Sequence, residues 1–347
     1  MSTSLIIILC VIAVGLLIPD NRKARKWFCI AIGLVFILQN ALRGLHYLDT
    51  YNYYVWYQSI ASESLSSIFK DFSFFGTSYE HRDLGYPLFV KLTQYIYTDF
   101  TFFQFVVAII IIVPLMYLVY KLSPSNAGVI TACSVFESLY AGFFMTGMRQ
   151  TIVMGMVLLA YNWVLKDDKK WKFIVVVALA STIHTTAWVF LPAAFINYVK
   201  NPKKTMLLML IAMPVIMVFA KQIIAFLGAG TMYSSYAVDS KNNLGTPVFS
   251  ALLTMIGILV YLASDKIVKK YPQYANTYIL MIGCAVVLMP SSWVDSNFLR
   301  IVDYYSIFML VSIPVAIECL FSKSVSNQRL AYIIANGVLI LLQIMKS

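Results

Sequence analysis

Long apolar runs, broken by short turns rich in lysine, leave this chain few folds to choose from. A run of about 20 apolar residues matches the roughly 30 Å hydrocarbon core of a bilayer. No water bonds backbone polar groups there, so each such run must close its own hydrogen bonds as a helix. The runs cover 3–19, 27–45, 100–121, 126–146, 148–165, 172–199, 205–227, 247–263, 274–290, 300–321 and 328–345. The expected fold is all-α, a polytopic integral membrane protein of about 11–12 transmembrane helices. Composition agrees: 61% of the 347 residues are hydrophobic and 12% are charged. A soluble domain carries about 45–50% and about 25%. Residues 1–347 read as a single transmembrane domain, and no repeat or low-complexity tract interrupts them.

The net charge of +11 does not indicate a nucleic-acid partner, because the lysines fall in short turns between apolar runs. That is the pattern of topology signals. The five cysteines lie inside apolar runs without CxxC spacing and read as small buried hydrophobes. Three histidines without ligand spacing suggest no zinc site, and no cofactor is expected. The first run lacks a basic leader and reads as a retained helix.

The basic turns around Arg22–Lys26, Lys166–Lys172, Lys200–Lys204, Lys266–Lys270 and Lys323–Arg329 are assigned to the cytoplasm. Two segments need separate treatment. Residues 86–98 hold Lys91 and are too short to span, so they read as re-entrant or interfacial. Residues 172–199 have lysine at both ends and read as a hairpin of two short helices, broken near Ser181–Thr186; a single tilted helix is the alternative. The stretch 46–99 is then an external loop with an amphipathic or re-entrant segment. Arginines, acids and tyrosines collect on that external side.

Arginine at membrane depth costs roughly 2.5–3.5 kcal/mol on insertion scales, so each one needs a reason. Arg149, in Gly147-Met148-Arg149-Gln150, is either an interhelical structural residue or an anion clamp, since guanidinium grips phosphate bidentately. Gln150 adds neutral donors and acceptors. Arg300 has Asp303 three residues on, so it is either half of a local ion pair or a second phosphate ligand. Arg43, followed by Asp49, Tyr51 and Tyr54, sits in a stretch suited to a sugar or sugar phosphate; an aromatic belt is the bland alternative. His184, the one histidine inside an apolar run, is either a buried hydrogen-bonder or a general base. Asp83 belongs to the charge cluster Glu80-His81-Arg82-Asp83, which could be a solvated loop.

Taken in order, these stretches resemble the EpsG/Wzy-type polysaccharide polymerases, relatives of the O-antigen polymerases and ligases with a GT-C-like architecture. The resemblance rests on Arg43-Gly44 with Asp49-Thr50-Tyr51, on Asp83-Leu84-Gly85-Tyr86, on Arg149-Gln150, and on Ser181-Thr182-Ile183-His184. Arg300 matches a late arginine, and Asp83 stands where the family usually has Glu. The resemblance implies an enzyme of the bacterial inner membrane that joins oligosaccharide units carried on undecaprenyl diphosphate at the external (periplasmic) face. His184, Asp49 and Arg149 would be catalytic; Arg43, Arg300, Gln150, Tyr51, Tyr54 and Asp83 would bind substrate; no metal would be needed. Membrane lipid is a further partner, and a chain-length regulator protein is left open. Rival readings are a transporter or flippase of lipid-linked sugars, another lipid-dependent sugar or acyl transferase, and a non-catalytic assembly subunit.

Overall fold

The computed structural model describes residues 2–47, 49–70, 83–166, 169–227 and 245–346. Among these residues the chain is helical throughout, with no strand. Glu80, His81 and Arg82 lie outside them. Two compact units divide the chain: residues 1–194 with 338–347, and residues 195–337.

The first unit begins with α1 (Thr3–Leu17) and α2 (Arg22–Ala41), followed by α3 (Thr50–Ser62), α4 (Leu65–Lys70) and α5 (Gly85–Ile96). The membrane-depth helices α6 (Phe100–Leu122), α7 (Asn126–Val135), α8 (Ala141–Thr146), α9 (Met148–Leu165) and α10 (Lys170–Ser181) come next. Helix α6 packs against α2 and α9, and α9 against α10. Gly155 of α9 makes this contact close: a Cβ there would lie 2.2 Å from the Ile110 carbonyl oxygen of α6. Small residues let helix backbones approach in this way where no hydrophobic force drives association.

Helix α5 has only 12 residues, about 18 Å at 1.5 Å per residue, too short to cross. Its lysine does specific work. Lys91 Nζ donates to the carbonyls of Ile60 (3.2 Å) and Ala61 (2.9 Å), placing a cation on the exposed carbonyl end of α3. Gln94 Nε2 adds a bond to the Tyr57 carbonyl at 2.7 Å.

Residues 172–199 break at Thr182–His184, between α10 and a 3-10 helix over Thr185–Tyr198. Phe173 and Phe190 have ring centroids 5.8 Å apart, and both rings meet Tyr161. A straight α-helix would separate residues 173 and 190 by about 25 Å. The chain therefore reverses at the break, as the hairpin reading expects, and His184 sits at the turn.

In the second unit, α13 (Ala275–Leu288) packs against α11 (Pro202–Leu227), α12 (Gly245–Lys270) and α15 (Leu299–Ser306). Between α13 and α15 lies the short α14 (Ser291–Val294), and α16 (Met309–Leu320) follows; α17 (Val325–Lys346) belongs to this unit up to Gly337 and to the first from Val338. Lys270 of α12 and Glu318 of α16 pair at 3.3 Å. Asn276 donates to the carbonyls of Ile196 and Val199, both at 2.9 Å.

Seven of the described helices are long and apolar enough to cross a membrane, or eight if the bent pair Ser296–Ser306 and Met309–Leu320 is one span. The architecture is polytopic as expected, with fewer full-length spans than apolar runs. The runs that fall short have physical reasons. The first helix has 15 residues. Helix α9 opens with Arg149 and Gln150, and 172–199 is folded in half.

Candidate functional site

A polar group in the interior of the first unit is built by four segments that are distant in sequence. Helix α3 contributes a buried face of Thr50, Tyr53, Tyr57 and Ile60, the helical spacing of one stripe. The residues before α5 contribute Asp83, the break before α9 contributes Arg149, and the α10 hairpin turn contributes His184.

Helices α8 and α9 are separated at Gly147, and Thr151 Oγ1 back-bonds to the carbonyls of Phe144 and Gly147, both at 3.0 Å. This break puts Arg149 in the first turn of α9. A cation there opposes the helix dipole, whose amino end favours anions. Arg149 is compensated instead by a distant carboxylate: its Nη1 donates to Asp83 Oδ2 at 2.9 Å, with each side chain 14% exposed. The guanidinium also lies 5.1 Å from the Trp56 ring centroid, and the Tyr53 side chain acts on it.

Asp83 also faces His184, whose Nδ1 is 4.0 Å from the same Oδ2. The backbone fixes that approach. The Gly85 N–H donates to the Thr182 carbonyl at 2.8 Å. A Cβ on Gly85 would lie 2.4 Å from Thr182 Oγ1 and 2.9 Å from its carbonyl carbon. Only glycine permits this contact, which staples the 83–86 segment onto the hairpin turn.

Arg43 approaches from the end of α2. Its Nη1 donates to the Asn40 carbonyl and its Nε to Thr50 Oγ1 at 3.3 Å. Its Nη2 and the Tyr86 hydroxyl are buried without a hydrogen-bond partner among the described residues. Burial lowers the Arg43 guanidinium from its ordinary value to about 10, with Tyr47, Tyr53 and Tyr86 acting against the shift. It stays charged at neutral pH. Burial raises the Tyr86 hydroxyl well above its usual range, with Tyr53 adding to the shift and Arg149 and Arg43 opposing it. Tyr53 and Tyr86 meet edge to face at 6.1 Å. Two arginines thus face one tyrosine pair, while Asp83 supplies the compensating negative charge. The arrangement favours an anion beside polar hydroxyl groups.

The other expected residues lie differently. Asp49 is exposed and makes no side-chain capping bond to α3. Tyr51 is exposed, and Tyr54 packs edge to face on Phe100 at 5.4 Å. Gln150 is buried, and its amide meets Met154 Sδ at 3.8 Å. Arg300 belongs to the second unit, where its charge acts on Asp303 and Ser306 Oγ donates to Asp303 Oδ1 at 3.4 Å. Tyr53, Trp56 and Tyr86 were not among the expected site residues. A helical reading of 50–62 would have put Tyr53 on the buried stripe with Thr50 and Tyr57.

Among the described residues no group of three or more His, Cys, Asp and Glu is placed to hold a metal ion. No curated protein and no solved structure matches the chain. The family model of the EpsG family matches residues 3–347, and polysaccharide polymerisation is the general function this supports. From its second residue pair to its last helix, the chain belongs to the EpsG family.

Proposed function

We propose that this protein extends a polysaccharide by glycosyl transfer between lipid-linked units, and that Arg149, Asp83 and His184 carry the reaction. The observation behind this is their convergence from three separate segments onto one carboxylate, beside a second buried arginine. The donor is a glycan on undecaprenyl diphosphate, and the acceptor is a sugar hydroxyl of another lipid-linked unit. The reaction takes place at the external face of the inner membrane.

In this reading the acceptor oxygen attacks the anomeric carbon and the bond from that carbon to the diphosphate oxygen breaks. The lipid diphosphate leaves with the electron pair. Arg149 and Arg43 neutralise charge as it builds on the leaving group, which is where preorganised donors have the largest effect. His184 takes the acceptor proton. Asp83 orients Arg149 and stabilises the imidazolium, as a buried carboxylate does beside a catalytic histidine. Tyr53, Tyr86 and Trp56 offer ring faces and hydroxyls to sugar. The arginines supply the positive charge, so the reading requires no metal, and activity should survive chelation. Asp49, Gln150, Tyr51 and Tyr54 are left as peripheral contacts.

The test is the glycan made by cells carrying Arg149→Ala or His184→Gln at unchanged protein level. Single-repeat material in place of a ladder supports the reading. A normal ladder removes it, and transport of labelled lipid-linked sugar by purified protein would favour a flippase.

A further inference from the structure

Glu137 lies outside the site described above, within the membrane-spanning run 126–146, and is 3% exposed. It sits in a π-helical stretch, Phe136–Tyr140, where the Ala141 N–H bonds the Phe136 carbonyl, one residue further back than an α-helix would reach. Such single wide turns re-aim side chains and recur at functional positions. Here Glu137 meets α2: Gln39 Nε2 donates to Glu137 Oε1 at 2.6 Å. The Ser4 hydroxyl of α1 interacts with the same carboxyl.

Two oxygens of this pair are unexplained. Glu137 Oε2 and Gln39 Oε1 are both buried without a hydrogen-bond partner among the described residues. Among the same residues no Lys, Arg or His forms an ion pair with Glu137. Both oxygens are acceptors when the carboxyl is ionised, so neither can satisfy the other. One proton on Oε2 turns it into a donor. Acid and amide can then exchange two hydrogen bonds, and the charge that burial penalises is gone.

We infer that Glu137 and Gln39 form a proton-binding site inside the membrane-spanning region, with Glu137 held as the neutral acid, and that ionising it would weaken anion binding at Arg43. The second half rests on the proposed function. Tyr47 connects the two, because Glu137 and Arg43 both act on it with opposite sign. A Cβ built on Gly142 would lie 3.6 Å from the Tyr47 hydroxyl, so Tyr47 lies against α8, just past the bulge. Among the described residues, the other titratable groups found near Glu137 are Cys133 on α7 and, through it, Cys29 on α2. Neither supplies a positive charge. A negative Glu137 would therefore add negative potential around Tyr47, where Arg43 also acts.

The experiment is infrared difference spectroscopy of the purified full-length protein in nanodiscs, titrated with pH. Wild type should show a protonated-carboxyl C=O band at neutral pH that disappears in Glu137→Gln. That variant keeps shape and hydrogen bonding, so its melting temperature should stay close to wild type while Glu137→Ala melts lower. Superimposable spectra at neutral pH, with melting that rises with sodium only when Glu137 is present, would overturn the proton site in favour of a cation site. With a lipid-diphosphate-linked donor, and at pH values below the range near 10 where Arg43 loses its own proton, the KM of wild type should rise several-fold as Glu137 ionises, while Glu137→Gln stays flat. Parallel KM profiles would overturn the coupling to Arg43. Absence of any polymerisation would count against the proposed function and leave the infrared result standing.

Discussion

Arg149 and Arg300 look alike in the sequence, and their surroundings differ in kind. Arg300 has Asp303 one helical turn on in the same helix, and its charge acts on that carboxyl. Arg149 takes its carboxylate from Asp83, 66 residues earlier, and adds an indole face and a tyrosine from α3. A local pair needs only helical spacing and serves to neutralise a costly charge. A partner drawn from a distant segment must be held by other contacts, here the Gly85–Thr182 bond, and that placement also brings in His184. The difference teaches that Arg149 belongs to a group assembled from distant segments, while the carboxyl on which Arg300 acts comes from its own helix.

Substitution can break this contrast. Replacing Arg149 by Ala should lower the rate of polymerisation about 10²–10³-fold, the loss typical of one charge-stabilising donor. Arg300→Ala should cost less than about tenfold in the same assay, because the carboxyl its charge acts on is supplied by its own helix. Equal losses would erase the distinction. His184→Gln should reduce the rate by about 10²-fold or more, within the usual range for a general base. It should also remove the fall in rate at acidic pH, since a base stops working once protonated and Gln does not titrate. Unchanged activity would reduce His184 to packing.

Smaller effects test the scaffold. Gly85→Ala should destabilise the protein by about 1–3 kcal/mol, the usual cost of overpacking, read as a lower melting temperature in detergent. It should also impair activity by moving Asp83 from His184. Gly337→Ala is the matched control: nothing lies within 4 Å of a Cβ there, and a helical Gly→Ala change should be neutral or stabilising by up to about 1 kcal/mol. A Gly85→Ala variant as stable and active as the Gly337→Ala variant would show that the staple is dispensable.

The features legible in the sequence are those carried by nearby residues. Apolar run length gave the helices, Lys91 argued against a span at 86–98, and lysine at both ends of 172–199 pointed to a reversal that the Phe173–Phe190 contact shows. Arg149, His184, Asp83 and Arg43 stood out because charge at membrane depth is costly. The pairing of Arg149 with Asp83 could not be read, since tertiary packing alone brings residues 83, 149 and 184 together. If residues 46–99 are a loop, nothing in the sequence sets Tyr53 above Tyr51 and Tyr54. Once α3 is helical, Tyr53 turns inward and Tyr51 outward. Glu137 was overlooked because the sequence gives no sign of the π turn that aims it at Gln39.

The central claim is that Arg149, Asp83 and His184 act as one unit. The most direct measurement is the polymerisation rate of purified protein in nanodiscs on a lipid-diphosphate-linked repeat, for Arg149→Ala, Asp83→Asn, His184→Gln and the triple variant. Residues that work together lose activity non-additively, so the triple variant should be about as slow as the worst single variant. Losses that multiply across the three substitutions, or a full-length ladder from Arg149→Ala, would contradict the account.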